Sequence, residues 1–155
     1  MVTNHIEIPA KTDTEKYSLD SQVTFKWLHE GKIANIALTD LNRKSIDLFI
    51  DSTIQILKSG TRDEKLLFLL DVSALTGTSL HLKSRLKDIR KALQDEQKFV
   101  RAAVIIPSGG LGLTLFLLLR QFVSSRLSAD VADELFQDRE KGLKWLLDAH
   151  RKDKP

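Results

Sequence analysis

Cysteine is absent from this chain, which excludes disulfides, thiolate metal sites and cysteine nucleophiles. No long hydrophobic run is present either. The longest, Leu111 to Val123, falls short of the ~20 residues that a membrane span requires, and Arg120 interrupts it. A strong excess of one charge is also missing. The formal charge is +3, and most basic residues alternate with acidic ones, as in Arg62–Asp63–Glu64–Lys65 and Asp138–Arg139–Glu140–Lys141. A polyanion binder would gather its cations on one face and add exposed aromatics, so no nucleic-acid partner is expected. The start, MVTNHIEIPAKTDTEKYSLD, lacks a basic segment followed by an apolar one, so no signal peptide is expected. The expectation is a cytoplasmic protein without a membrane span.

What is present is ordinary globular material. The length of 155 residues suits one domain with a substantial core, and 42% apolar with 29% charged residues is typical of a folded domain. Residues 1–20 are polar and carry no sustained period, so they are expected to form an N-terminal arm. Residues 21–150 are expected to form the domain, and 151–155 a solvated tail. In QVTFKWLHE, Val23, Phe25 and Trp27 alternate, Glu30–Gly31–Lys32 turns, and Ile36 and Leu38 continue a second strand, which is a hairpin pattern. Ile46, Phe49, Ile50, Ile54 and Leu57 then recur at helical spacing, with Gly60 just past the end. Leu66 to Leu70 is apolar without alternation, as a strand covered on both faces requires.

Leu82, Leu86, Ile89 and Leu93 form a second helical stripe, and VRAAVIIP reads as another doubly buried strand. A very apolar helix is expected from Leu111 to about Leu127. DVADELF is a short, weaker strand, and REKGLKWLLDAH is a closing helix with Leu143, Leu146 and Leu147 inward. The predicted order is ββαβαβαβα, an α/β mixed sheet with a parallel interior and helices packed on it.

Three stretches invite a chemical reading. In KLLFLLDVSALTGTSL a buried strand ends at Asp71 and opens into Ser73, Thr76, Thr78 and Ser79. This junction is either a phosphoacceptor or anion-binding loop, or a capped helix start in which a hydroxyl satisfies the first free N–H groups. Asp71 is expected to accept loop N–H groups. A second stretch, IIPSGGLGLTL, places Ser108, Gly109, Gly110 and Gly112 between strand and helix. The dinucleotide fingerprint needs Gly or Ala three residues after Gly112, and Leu115 stands there. A plain turn is the reading, although it lies at the strand ends where α/β sheets bind ligands. Third, the histidines His5, His29, His81 and His150 are too scattered for a metal site, and His81 is assigned a surface role. No cofactor and no metal is called for.

The strand ending in Asp71–Val72–Ser73, its hydroxyl-rich turn, and the closing ELFQDREKGLKWLL resemble the STAS and SpoIIAA-like family over about residues 23–149. That resemblance implies a non-enzymatic regulatory module that binds partner proteins. Some members are switched by phosphorylation at the start of the helix after this strand, which by position is Thr78 or Ser79. Switchable members carry an Asp directly before the acceptor, whereas this chain reads Leu75–Thr76–Gly77–Thr78–Ser79.

The helix from Leu111 is apolar nearly all round, and one resting on a single sheet face needs only a stripe. Leu113, Phe116 and Leu117, with Arg120, would leave a patch that calls for a homodimer or another protein partner. The alternative is a carrier or sensor of a lipid-like small molecule held beneath this helix. Lys83, Lys87, Arg90 and Lys91 share neighbouring flanks of the preceding helix, read first as a solvated basic face and second as a dock for an acidic partner.

Overall fold

A computed structural model of the chain describes residues 6–11, 17–60, 63–77, 79–109, 114 and 131–152. Six strands form one sheet in the order β1-β2-β3-β4-β5-β6, the same as their order in the chain. They are β1 (Tyr17–Asp20), β2 (Val23–Leu28), β3 (Ile33–Leu38), β4 (Leu66–Asp71), β5 (Val100–Ile105) and β6 (Val131–Phe136). β1, β2 and β3 pair antiparallel, and β3 to β6 run parallel. Three helices are described, α1 (Arg43–Lys58), α2 (Leu80–Glu96) and α3 (Arg139–Lys152). The α/β class and the mixed sheet with a parallel interior are therefore present. The expected helix from Leu111, with Gly110, Gly112, Leu113, Phe116, Leu117 and Arg120, lies outside the described residues, and so does Thr78.

Among the described residues the two faces of the sheet are covered unequally. α1 and α2 pack over one face, where Phe25, Ile36, Phe68 and Val104 meet Ile46, Ile50, Leu82 and Leu86. The other face is narrower. Ile33, Leu67, Leu69, Ala103 and Ile105 surround Leu146 of α3. β4 serves both cores at once, which is why Leu66 to Leu70 shows no alternation in sequence. Of the three leucines on α3, Leu146 is fully buried, and Leu143 and Leu147 stay partly exposed on its flank. This helix approaches closely because Gly142 has no side chain. A Cβ there would stand 2.8 Å from Ile105 Cδ1 and 3.4 Å from Ala103 Cβ.

Two boundaries differ from the sequence expectation. The arm is not loose where it is described. Tyr17–Asp20 is an edge strand with a register shift between Ser18 and Asp20. Its lack of alternation hid it, because it is held by the ladder to β2 rather than by a buried face of its own. Residues 6–11 lie along the domain. Ile6 exchanges two hydrogen bonds with the Gln55 side chain (3.1 and 2.6 Å), and Trp27 Nε1 donates to Pro9 O at 2.7 Å. At the other end α3 runs on to Lys152, into the segment read as tail. After Gly142, early in the helix, no Gly or Pro stands before Pro155 to stop it.

The hairpin between β2 and β3 turns through His29, Glu30 and Gly31, all at positive φ (50°, 59° and 80°). Gly31 serves a second purpose: a Cβ there would lie 2.8 Å from Lys11 O, so the arm can rest on the turn.

Candidate functional site

The carboxyl ends of the parallel strands carry the loop singled out by sequence. β4 delivers Asp71, and the chain then alternates inward and outward. Val72 and Leu75 are buried, while Ser73 and Thr76 are exposed. Val72 N donates to Ile105 O at 2.9 Å and Leu75 N to Val72 O at 3.1 Å, so the turn is tied to β5 and to itself. Two apolar anchors and two backbone bonds thus hold a short row of hydroxyls outward on a fixed frame.

Asp71 is fully employed. Its Oδ1 accepts from Ser73 N (3.0 Å) and Ser73 Oγ (2.6 Å), the local closure that Asp favours in turns. Its Oδ2 lies 3.5 Å from Arg139 Nη1, at the first position of α3. With its amide turned to satisfy both neighbours, Asn35 donates to Leu69 O and accepts from Arg139 Nη2, each at 3.2 Å. Asn35, Asp71 and Arg139 therefore form a polar seam beneath the start of α3, on the face away from α1 and α2. Neither Asn35 nor Arg139 stood out in sequence. Their only signal is position, since a single side chain at a helix start bridges strands that are distant along the chain.

Ser79 is the N-cap of α2. Its Oγ accepts from His81 N at 3.1 Å and Leu82 N at 3.3 Å, satisfying two of the free donors at the helix start. Beside it Leu80 is 85% exposed, the most exposed large apolar side chain among the described residues.

The first turns of α2 are locked to α1. Asp47 Oδ1 accepts from Arg85 Nη1 (2.7 Å) and meets His81 Nε2 at 2.6 Å. Arg85 also reaches Asp51 at 2.5 Å and Asp88 at 2.8 Å. Burial opposes ionisation of Asp47, but the hydrogen bonds from His81 and Arg85 outweigh it and hold its carboxyl below the usual range. Burial likewise works against the Arg85 charge, and the bonds to Asp51 and Asp47 overcome it, so its pKa lies above the ordinary value. His81 is thus a half-buried partner of α1, not the surface residue that its isolation in sequence suggested. It belongs to a clamp that carries the Ser79 cap.

The remaining sequence candidates separate. Ser108 and Gly109 are exposed past the end of β5, with Gly109 at φ +92°. Lys87 and Lys91 are exposed on α2, whereas Lys83 and Arg90 are partly covered. Among the described residues no group of three or more His, Asp or Glu is placed to hold a metal ion, and no helix is long and apolar enough to cross a membrane.

No family model matches the chain, and no curated protein or solved structure is significantly similar to it.

Proposed function

We propose that this chain is a non-enzymatic, SpoIIAA-like (STAS-type) regulatory module that works by binding protein, chiefly a second copy of itself. The observation that carries the reading is the loop from Asp71 to Leu80. Its carboxylate, the Ser73 hydroxyl bonded to it and its capping hydroxyl are each committed to holding shape, while Thr76 and Leu80 face outward from that frame. A held edge that presents a hydroxyl beside an apolar side chain suits a protein contact, where an apolar anchor surrounded by polar groups carries most of the affinity. The apolar run Leu111–Leu119 supports the same reading from sequence, with Leu113, Phe116 and Leu117 as the self-association residues.

Regulation would act through the α2 start. A phosphate on Thr78 or Ser79 adds roughly two negative charges at a helix N-terminus, next to an edge that a partner would touch.

Light scattering coupled to size-exclusion chromatography tests the reading. The wild type should run as a dimer, and Leu117→Glu or Phe116→Glu should give a monomer with an unchanged unfolding transition. A wild type that stays monomeric at high concentration, and retains no protein partner, would remove it. Asp71→Asn provides the contrast: an enzyme would lose turnover at unchanged association, whereas the module loses only loop rigidity.

A further inference from the structure

A second concavity lies at the opposite end of the sheet, where β3 and β4 begin, away from the loop just described. Its volume is about 470 Å³, within the range of small-molecule sites, which runs from roughly 300 to 1,000 Å³. Trp27, Ala34, Ile56, Leu66 and Phe68 contribute apolar surface from β2, β3, α1 and β4. A floor assembled from four elements is rigid, which is the usual condition of a preformed pocket.

The rim is charged but balanced. Lys11, Lys32 and Lys65 face Glu30, Asp63 and Glu64 around the opening. Lys11 is paired with Glu64 and stands 5.6 Å from the Trp27 ring centroid. Lys65 lies 5.4 Å from the Phe99 ring centroid. Three cations against three anions give no net field to draw in an ion, and the apolar floor would strip water from any charge without returning a partner.

The segment 6–11 reaches the opening at Lys11, the one residue of it that lines the pocket, and crosses Trp27 at Pro9. It is fastened at its start by the Ile6–Gln55 pair, midway by Trp27 Nε1 donating to Pro9 O, and at its end by the Lys11–Glu64 ion pair. The last fastening is exposed, with Lys11 at 50% and Glu64 at 30% of side-chain surface, and exposed ion pairs are weak. The strap is therefore firm at Ile6 and Pro9 and easily released at Lys11.

We propose that this pocket binds a small, uncharged, largely apolar molecule, and that Lys11 is the latch of the strap that retains it. The neutral solvatochromic dye Nile red serves as the probe. The wild type should bind one dye per chain with a blue shift. Lys32→Trp and Ser59→Trp place a bulky ring at exposed rim positions and are expected to fold, because neither side chain is buried. Each should weaken dye binding by about tenfold or more, the equivalent of ~1.4 kcal/mol. Lys11→Ala should leave affinity within about threefold but speed dye release by at least that factor, as expected for a gate. The inference is overturned if both tryptophan variants bind the dye like the wild type, or if Leu117→Glu alone abolishes binding, which would put the dye on the apolar run. It is also overturned if the anionic dye 1-anilinonaphthalene-8-sulfonate binds at this rim more tightly than Nile red, because the site would then select charge.

Discussion

Lys98 is the least expected residue in the core, and replacing it makes a sharp test of how the two long helices are joined. Its side chain is 3% exposed, yet Nζ donates to Leu57 O at 2.8 Å and Ser59 O at 2.7 Å, with Glu96 Oε2 3.7 Å away. These carbonyls belong to the end of α1, where the last C=O groups have no partner within the helix. The ammonium thus closes α1 from a position just beyond α2. Removing a charged donor costs about 1.5–3 kcal/mol per bond when the acceptor stays dry. Leu57 is buried and loses the full amount, whereas Ser59 is exposed and water can replace part of its loss. Lys98→Met keeps the aliphatic packing and should cost about 2–3 kcal/mol; Lys98→Ala should add about 1 kcal/mol for the lost stem. With a urea slope near 2 kcal/mol/M, the midpoint for Lys98→Met should fall by about 1 M. Tryptophan fluorescence follows this directly, since Trp27 and Trp145 report from opposite faces of the sheet. A buried charge can also cost more to desolvate than its bonds return. If Lys98→Met raises the midpoint, that balance holds here and the capping argument fails.

Ser79→Ala should lower stability by about 1 kcal/mol through loss of the α2 cap, and Ser79→Asp should restore most of it; equal stability of all three in urea titration would show that the cap contributes nothing. Asp47 has a lowered pKa in the folded state, so its contribution is present above the unfolded value near 4 and is lost as pH falls through the folded value. The gap in Tm between wild type and Asp47→Asn should therefore be constant at neutral pH and shrink as pH falls below about 4; a gap that does not narrow at all on acidification would refute the assignment. Gly142→Ala gains up to about 1 kcal/mol of helix propensity but drives a Cβ to 2.8 Å from the buried Ile105, an overpacking cost of about 1–3 kcal/mol. The net should be a loss, and a rise in Tm would mean that α3 is free to move outward.

Most of the architecture was legible because burial here follows simple periods. The Val23–Phe25–Trp27 alternation, the α1 and α2 stripes and the unbroken run of β4 each map onto a face that the structure covers. Tyr17–Asp20 was not legible, because a four-residue edge strand in which Leu19 alone packs against the core has no apolar rhythm. The hydroxyl loop was legible as a junction, and of the readings offered for it the structure shows Ser79 as the cap of α2. The functions of Asn35, Arg85, Lys98 and Arg139 were invisible for one shared reason. Each is a polar side chain whose partner lies on another element, and charge patterning along the chain shows such residues only as solvated surface.

The agreement between spatial and sequential strand order has a kinetic consequence. Every strand after the first pairs with the one made just before it, so the only closures needed are the crossovers between consecutive strands and none must wait for a partner made much later. The sheet can lengthen in one direction as the chain emerges, starting from the β2–β3 hairpin and adding α1 with β4, then α2 with β5. Each step covers more of one face only. Among the described residues, the opposite face, with Leu67, Leu69 and Ile105, is covered by α3, which follows the sixth strand. α3 thus hides an adhesive surface that the preceding strands have already assembled, and its loss would be felt first as aggregation of a folding intermediate rather than as a lower melting temperature.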